Sequence, residues 1–179
     1  SMDLPRNLDD VLESAAAMRF VPEGGPAALL LTVEGLGAGE AFETQRLGRE
    51  PVAQDSRRPP DAHFDTGALA WVQKRVGGAA AYSFMITLGR GLTNDIVLPA
   101  PTLSIVHVSF SHHGTGTGLT VIDQGSANGS CLTGTRLRPR PAERSVSGDF
   151  LLLGGGVRAL LLDGPALLKF ARARASRRQ

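Results

Sequence analysis

Residues 105–132 read IVHVSF (105–110), SHHGTGTG (111–118), LTVI (119–122), DQGSANG (123–129) and SCL (130–132). Short apolar and β-branched runs alternate here with clusters of Gly, Ser, Asn and Asp, which is the alternation of strands with tight turns. In the first run Val106, Val108 and Phe110 share one face and Ile105, His107 and Ser109 the other, the two-residue period of an extended chain. The same texture continues outward. Leu69–Val76, Tyr82–Leu88 and Asp95–Leu98 precede this stretch, and Phe150–Leu153 and Val157–Leu162 follow it. Short strands at this spacing, with no helix between them, predict an all-β fold over 67–164, an antiparallel β-sandwich or barrel.

The flanks read differently. Residues 1–66 form an N-terminal extension. In it Leu8, Val11, Leu12, Ala15 and Met18 fall at helical spacing, so a helix is predicted over 8–18, with Asn7 as N-cap and acids at 9 and 10 in the first turn. Glu23-Gly24-Gly25-Pro26 breaks the chain. Two short strands, Ala28–Glu34 and Ala41–Leu47, surround a Gly-rich turn, and 48–66 is a Pro- and charge-rich linker. Residues 165–179 read as a basic tail or short helix, with amphipathic character over 166–174.

Composition narrows the class. The chain has 179 residues, 42% of them hydrophobic, which is enough for a packed core and excludes wholesale disorder. No apolar run approaches the ~20 residues of a membrane-spanning helix, and no signal segment opens the chain, so no membrane partner is expected. Cys131 is the single cysteine, so neither a disulfide nor a zinc site is expected, and the reading is a cytoplasmic protein without metal or cofactor. The net charge of +2 hides five bases in the last eleven residues; the rest holds 14 bases against 17 acids. A mildly acidic body argues against nucleic acid as a partner. There is no phosphate-loop signature, no nucleophile elbow and no metalloprotease helix, so no catalytic residue is nominated and the chain is not read as an enzyme.

The informative polar residues cluster at turns: Gly89-Arg90, then Asn94-Asp95, then Ser104-Ile105-Val106-His107, then Asp123-Gln124-Gly125-Ser126-Ala127-Asn128-Gly129 and Gly148-Asp149. Turns of a sandwich gather at its two ends, so these can meet on one rim. Their order and spacing, across roughly residues 70–163, resemble the forkhead-associated (FHA) domain. That resemblance implies an FHA/SMAD-like sandwich that binds phosphothreonine peptides through the loops at one end, in Ser/Thr kinase signalling. The implied partner is a phosphothreonine-containing protein, a Ser/Thr kinase or its substrate.

The chemistry agrees. A phosphothreonine carries about −1.5 to −2 charges and three strong acceptor oxygens. Recognising it takes a fixed cation and several donors. By the resemblance, Arg90 supplies the guanidinium fork, Ser104 a hydroxyl donor and Asn128 an amide for the peptide backbone. Gly89, Asn94, His107, Ser126 and Gly129 brace the loops. Plainer roles stay open: Ser104 as a turn cap, and Asn128-Gly129 as a type I′ turn. Two further positions at the site depart from the family pattern. Ile105 stands where Arg, Lys or Asn is common, and Ala127 where Thr is usual. These two motivate an alternative, an FHA-fold interaction or oligomerisation domain with a degenerate, phosphate-independent site.

Overall fold

The computed structural model describes residues 4–20, 26–33, 68–75, 84–112 and 118–179. The expected strand Ala41–Leu47 and the linker 48–66 lie outside the described residues. Among the described residues two helices, α1 (Leu8–Ala16) and α2 (Gly164–Arg177), bracket eleven strands. These are β1 (Ala28–Val33), β2 (Leu69–Trp71), β3 (Ile86–Gly89), β4 (Ile96–Val97), β5 (Val108–His112) and β6 (Leu119–Asp123). β7 (Ser130–Leu132), β8 (Thr135–Arg136), β9 (Glu143–Ser145), β10 (Phe150–Leu153) and β11 (Val157–Leu162) complete the set.

The strands form two sheets, ordered β2-β1-β11-β10-β7-β8 and β4-β3-β5-β6-β9. β3 and β4 pair in parallel, and the other pairings with a defined register are antiparallel. The all-β sandwich expected from the strand pattern is therefore the architecture found. Leu88, Val108, Phe110 and Val121 of one sheet face Leu29, Leu151, Leu153 and Leu161 of the other across a closed apolar core. Each fully buried aliphatic or aromatic side chain of this kind contributes about 1.5–3 kcal/mol.

The six-stranded sheet is buried on both faces along β1, β11 and β10. Along β1, Leu29 and Leu31 enter the sandwich, while Ala28 and Leu30 join a second core with Leu8, Val11, Phe20, Phe150, Leu160, Leu162, Leu167 and Ala171. This explains why β1, β10 and β11 are almost continuously apolar: a strand covered on two sides has no solvent face to alternate with. Asn7 caps α1 by accepting the Asp10 N–H at 2.9 Å, and Asp163 caps α2 by accepting the Ala166 N–H at 2.9 Å. Trp71 Nε1 donates to the Pro5 carbonyl at 2.6 Å, and its ring meets Phe20 at a centroid distance of 5.6 Å. Asp9 pairs with Arg174 of α2 at 3.7 Å and with its C-cap Arg178 at 3.6 Å, so the two helices are tied side by side.

Several boundaries differ from the sequence reading. α1 ends at Ala16 because Met18 sits at φ 56° and turns the chain. α2 runs from Gly164 to Arg177, a docked helix rather than a frayed tail, with Arg174 buried. β5 starts at Val108, not Ile105; residues 104–107 are a loop. β8 and β9 carry no apolar alternation and were not anticipated. β1, assigned from sequence to the extension, lies between β2 and β11.

Candidate functional site

The antiparallel registers β3–β5 and β5–β6 bring the end of β3, the start of β5 and the end of β6 to one end of the sandwich. The starts of β7 and β11 and the end of β10 arrive there too. The loops 90–95, 98–107 and 124–129 and the turn at Gly154 therefore share a rim. They are joined by backbone contacts that need no particular side chain. Arg90 N–H donates to the Ser104 carbonyl at 3.1 Å, Gly91 N–H to the Ile105 carbonyl at 3.1 Å, and His107 N–H to the Leu88 carbonyl at 2.8 Å. Gly154 N–H donates to the Gly129 carbonyl at 2.9 Å.

Gly89 is required by this closeness. A Cβ there would collide with the Ile105 carbonyl oxygen and lie 2.9 Å from that of Ser104. Gly154 lies at φ 59°, and a Cβ on it would come within 2.6 Å of the Thr102 carbonyl oxygen.

Side chains then lock the loops. Asn94 is 1% exposed, and its Nδ2 donates to the carbonyls of Gly91 (2.7 Å) and Ile105. His107 is fully buried. Its Nδ1 accepts the Ser104 N–H at 3.0 Å, so the ring proton of the neutral form sits on Nε2, which lies 3.2 Å from the Gly129 carbonyl and donates to it. Burial holds the imidazole below its ordinary pKa, against the opposing pull of the Asp123 charge and the Gly129 carbonyl. Asp123, itself buried, accepts from Ser126 N–H (2.7 Å), Ser126 Oγ (2.6 Å) and Ser130 Oγ (2.7 Å), an Asx-type brace for the 124–129 loop.

The binding candidates meet on this frame. Arg90 is half-buried, with its backbone on that of Ser104. Ser104 does not cap its own turn. Its Oγ accepts the Ala127 N–H from across the rim at 3.0 Å, and the hydroxyl keeps its proton to donate. Asn128 is 8% exposed and its Nδ2 donates to the Thr102 carbonyl at 2.9 Å, so part of the amide joins two loops. Asn128 is not in the left-handed region, as a type I′ turn would need; only Gly129 is, at φ 76°. The segment crosses from the five-stranded sheet to the six-stranded one and is no hairpin. Ile105 is 56% exposed and Leu92 80%, so the departure at 105 leaves an apolar side chain on the rim.

Sequence reasoning missed the support under the 90–95 loop. Asp95, with its side chain 1% exposed, accepts from Lys74 Nζ (2.7 Å), Arg75 N–H (2.9 Å) and Thr87 N–H (2.9 Å). Burial pushes this carboxyl up, but the Lys74 ammonium and the two amides outweigh it and hold the group below its usual range. The Asp95–Lys74 pair joins residues in different segments, and nothing local in the sequence signals it. Thr102 contributes a carbonyl, which any residue would supply. Among the described residues no group of three or more His, Cys, Asp or Glu side chains could hold a metal ion.

Residues 86–154, from the first residue of β3 to the turn after β10, match the family model of the FHA domain. An FHA domain is what this stretch is similar to. The chain's fold is similar to the solution structure of the FHA domain of an Arabidopsis thaliana hypothetical protein (16% identity, 78% of this chain and 86% of that one, TM-score 0.50). Others with likeness to it include the FHA domain of a Chlamydia trachomatis protein (15% identity, 76% and 96% covered, TM-score 0.47). An FHA domain characterised for phosphothreonine-dependent interactions matches at 15% identity, 76% and 94% covered, TM-score 0.45. No curated protein matches the sequence. The sandwich extends past the matched stretch, since β1, β2 and β11 complete its six-stranded sheet. No helix among the described residues is long and apolar enough to cross a membrane.

Proposed function

We propose that this FHA domain binds phosphothreonine in a partner protein, a Ser/Thr kinase or a kinase substrate, and acts as an interaction module in cytoplasmic signalling rather than as an enzyme. The observation that carries the reading is the meeting of Arg90, Ser104 and the Ala127–Asn128 segment on one rim, through Arg90 N–H to Ser104 (3.1 Å) and Ala127 N–H to Ser104 Oγ (3.0 Å). A dianionic ester seated there meets a guanidinium and a hydroxyl donor on a frame already fixed by Asn94 and His107, so little ordering cost is left for binding.

The test is calorimetric titration with a phosphothreonine peptide library and its unphosphorylated counterparts. Binding is expected only with phosphate. Charge-assisted hydrogen bonds are worth about 1.5–3 kcal/mol, so Arg90→Ala should weaken binding by about one to two orders of magnitude. Absence of any phosphate-dependent binding overturns the reading. A phosphate-independent interaction domain is the second reading, favoured by the exposed apolar pair Leu92 and Ile105. An Arg90→Ala protein that keeps full affinity for its partner selects that alternative.

A further inference from the structure

The loop 90–95 starts at Arg90 and is tied on two sides. On one side Asn94 Nδ2 donates to the Gly91 and Ile105 carbonyls. On the other the tie comes from the chain just after β2. Asp95 closes the loop, and its Oδ1 accepts the Arg75 N–H at 2.9 Å while its Oδ2 accepts from Lys74 Nζ at 2.7 Å. Lys74 Nζ also donates to the Met85 carbonyl at 2.9 Å, just ahead of β3. These bonds fix the backbone at 74–75. From that anchor the Arg75 guanidinium reaches the middle of the loop, where its Nη2 donates to the Leu92 carbonyl at 3.1 Å. Leu92 is two residues from Arg90, and its own side chain is 80% exposed, so packing of that side chain does little to hold the loop. Lys74 and Arg75 both precede the stretch 86–154 that matches the family model, so this tie lies outside it.

We propose that Arg75 is a positioning residue of the phosphothreonine site: it holds the Leu92 carbonyl and so keeps the 90–95 loop, with Arg90 at its start, in the shape that meets Ser104. The inference rests on the phosphothreonine reading above. A guanidinium grips two phosphate oxygens only when its plane is aimed at them. A site that adopts its competent shape for a fraction of the time binds with an affinity reduced by that fraction. Arg75 is placed to raise the fraction, because its backbone stays bonded to Asp95 whatever its side chain does. Its planar donor group, set on that fixed backbone, loses little freedom on meeting the carbonyl. Arg75 acts on the ligand through Arg90, and that separates it from a second cation in the site.

The experiment is a double-mutant cycle on the full chain. Fluorescence anisotropy gives the affinity of wild type, R75A, R90A and R75A/R90A for a phosphothreonine peptide and its unphosphorylated twin. R75A removes one exposed hydrogen bond, so it should stay folded, with a melting point within about 4 °C of wild type. It should weaken phosphopeptide binding by about two- to tenfold and leave the unphosphorylated twin unchanged. In the R90A background the same substitution should cost less than about twofold, because the residue it positions is gone. In the peptide-free protein, hydrogen exchange at the Gly91 amide, which donates to the Ile105 carbonyl at 3.1 Å, should be faster in R75A. Phosphate-dependent binding that R75A leaves at wild-type strength overturns the assignment and leaves the phosphothreonine reading intact. So does a loss repeated in full in the R90A background, which makes Arg75 a direct or long-range electrostatic contact. Wild type that does not distinguish the two peptides overturns the phosphothreonine reading and this assignment with it.

Discussion

Gly89→Ala tests the frame on which the site depends. A Cβ at this position lies 2.9 Å from the Ser104 carbonyl oxygen and 2.9 Å from the Ile105 carbonyl carbon, and closer still to the Ile105 oxygen. All three are backbone atoms, so no side chain can rotate away. Residues 104–105 must retreat, which breaks the Arg90 N–H bond to Ser104 and the Gly91 N–H bond to Ile105. Overpacking of this kind costs about 1–3 kcal/mol. Each lost hydrogen bond adds about 0.5–1.5 kcal/mol. The sum centres near ~4 kcal/mol, within the ~5–15 kcal/mol stability of a domain, so the variant stays folded at room temperature. A chain of this size loses about 2–4 °C per kcal/mol, which puts the melting point about 8–16 °C below wild type. Phosphopeptide affinity, measured well below both transitions, should fall as well, because Arg90 and Ser104 are driven apart. Gly118→Ala is the control: a Cβ there meets nothing within 4 Å, and no change is expected. A Gly89→Ala protein that melts within 2 °C of wild type, on the scale of that estimate, refutes the close approach of β3 to the 104–107 loop.

Other perturbations separate the remaining parts. Asn94→Ala removes both amide bonds that tie Gly91 to Ile105, and urea unfolding should show a loss of about 2–3 kcal/mol. Acidification acts through His107. Its pKa is lowered in the folded state, so its contribution is complete above the unfolded value near ~6.5 and is lost as pH falls through the folded value. Protonation of Nδ1 also ends its bond from Ser104 N–H, so the urea midpoint of the peptide-free protein should drop between pH 7.5 and 5.5 as set in the assay, and drop less in His107→Gln. Ile105→Arg places a cation beside the phosphate position without touching the Ile105 carbonyl, which holds the loop; it should tighten phosphopeptide binding by about two- to tenfold in titration calorimetry.

Much of this was legible in the sequence because it is local. Strand runs such as Phe150–Leu153 and Val157–Leu162 carry their own apolar signature, and Asn7 announces the start of α1 by capping it. The rim residues were legible as turn chemistry in a fixed order. What escaped is what depends on neighbours distant in sequence. Thr135–Arg136 and Glu143–Ser145 are short edge strands defined by their partners and not by their own residues. The double burial of Ala28–Leu31 was written in four successive apolar residues, yet only the docking of α1 and α2 explains it. Ile105-Val106-His107 alternates like a strand but is bent into the rim by the bonds of Arg90, Gly91 and Asn94.

The place of β1 bears on how fragments of this protein will behave. All six of its residues pair with β11. A truncation that starts at residue 67, or one cut back to 86–154, strips the partner from a leucine-rich ladder or removes the ladder itself. The first leaves a naked, oily sheet margin, open to another copy in solution. Expression trials with such trimmed pieces would then report insolubility that says nothing about ligand recognition, whereas a piece running from Pro5 through Arg177 keeps the margin sealed.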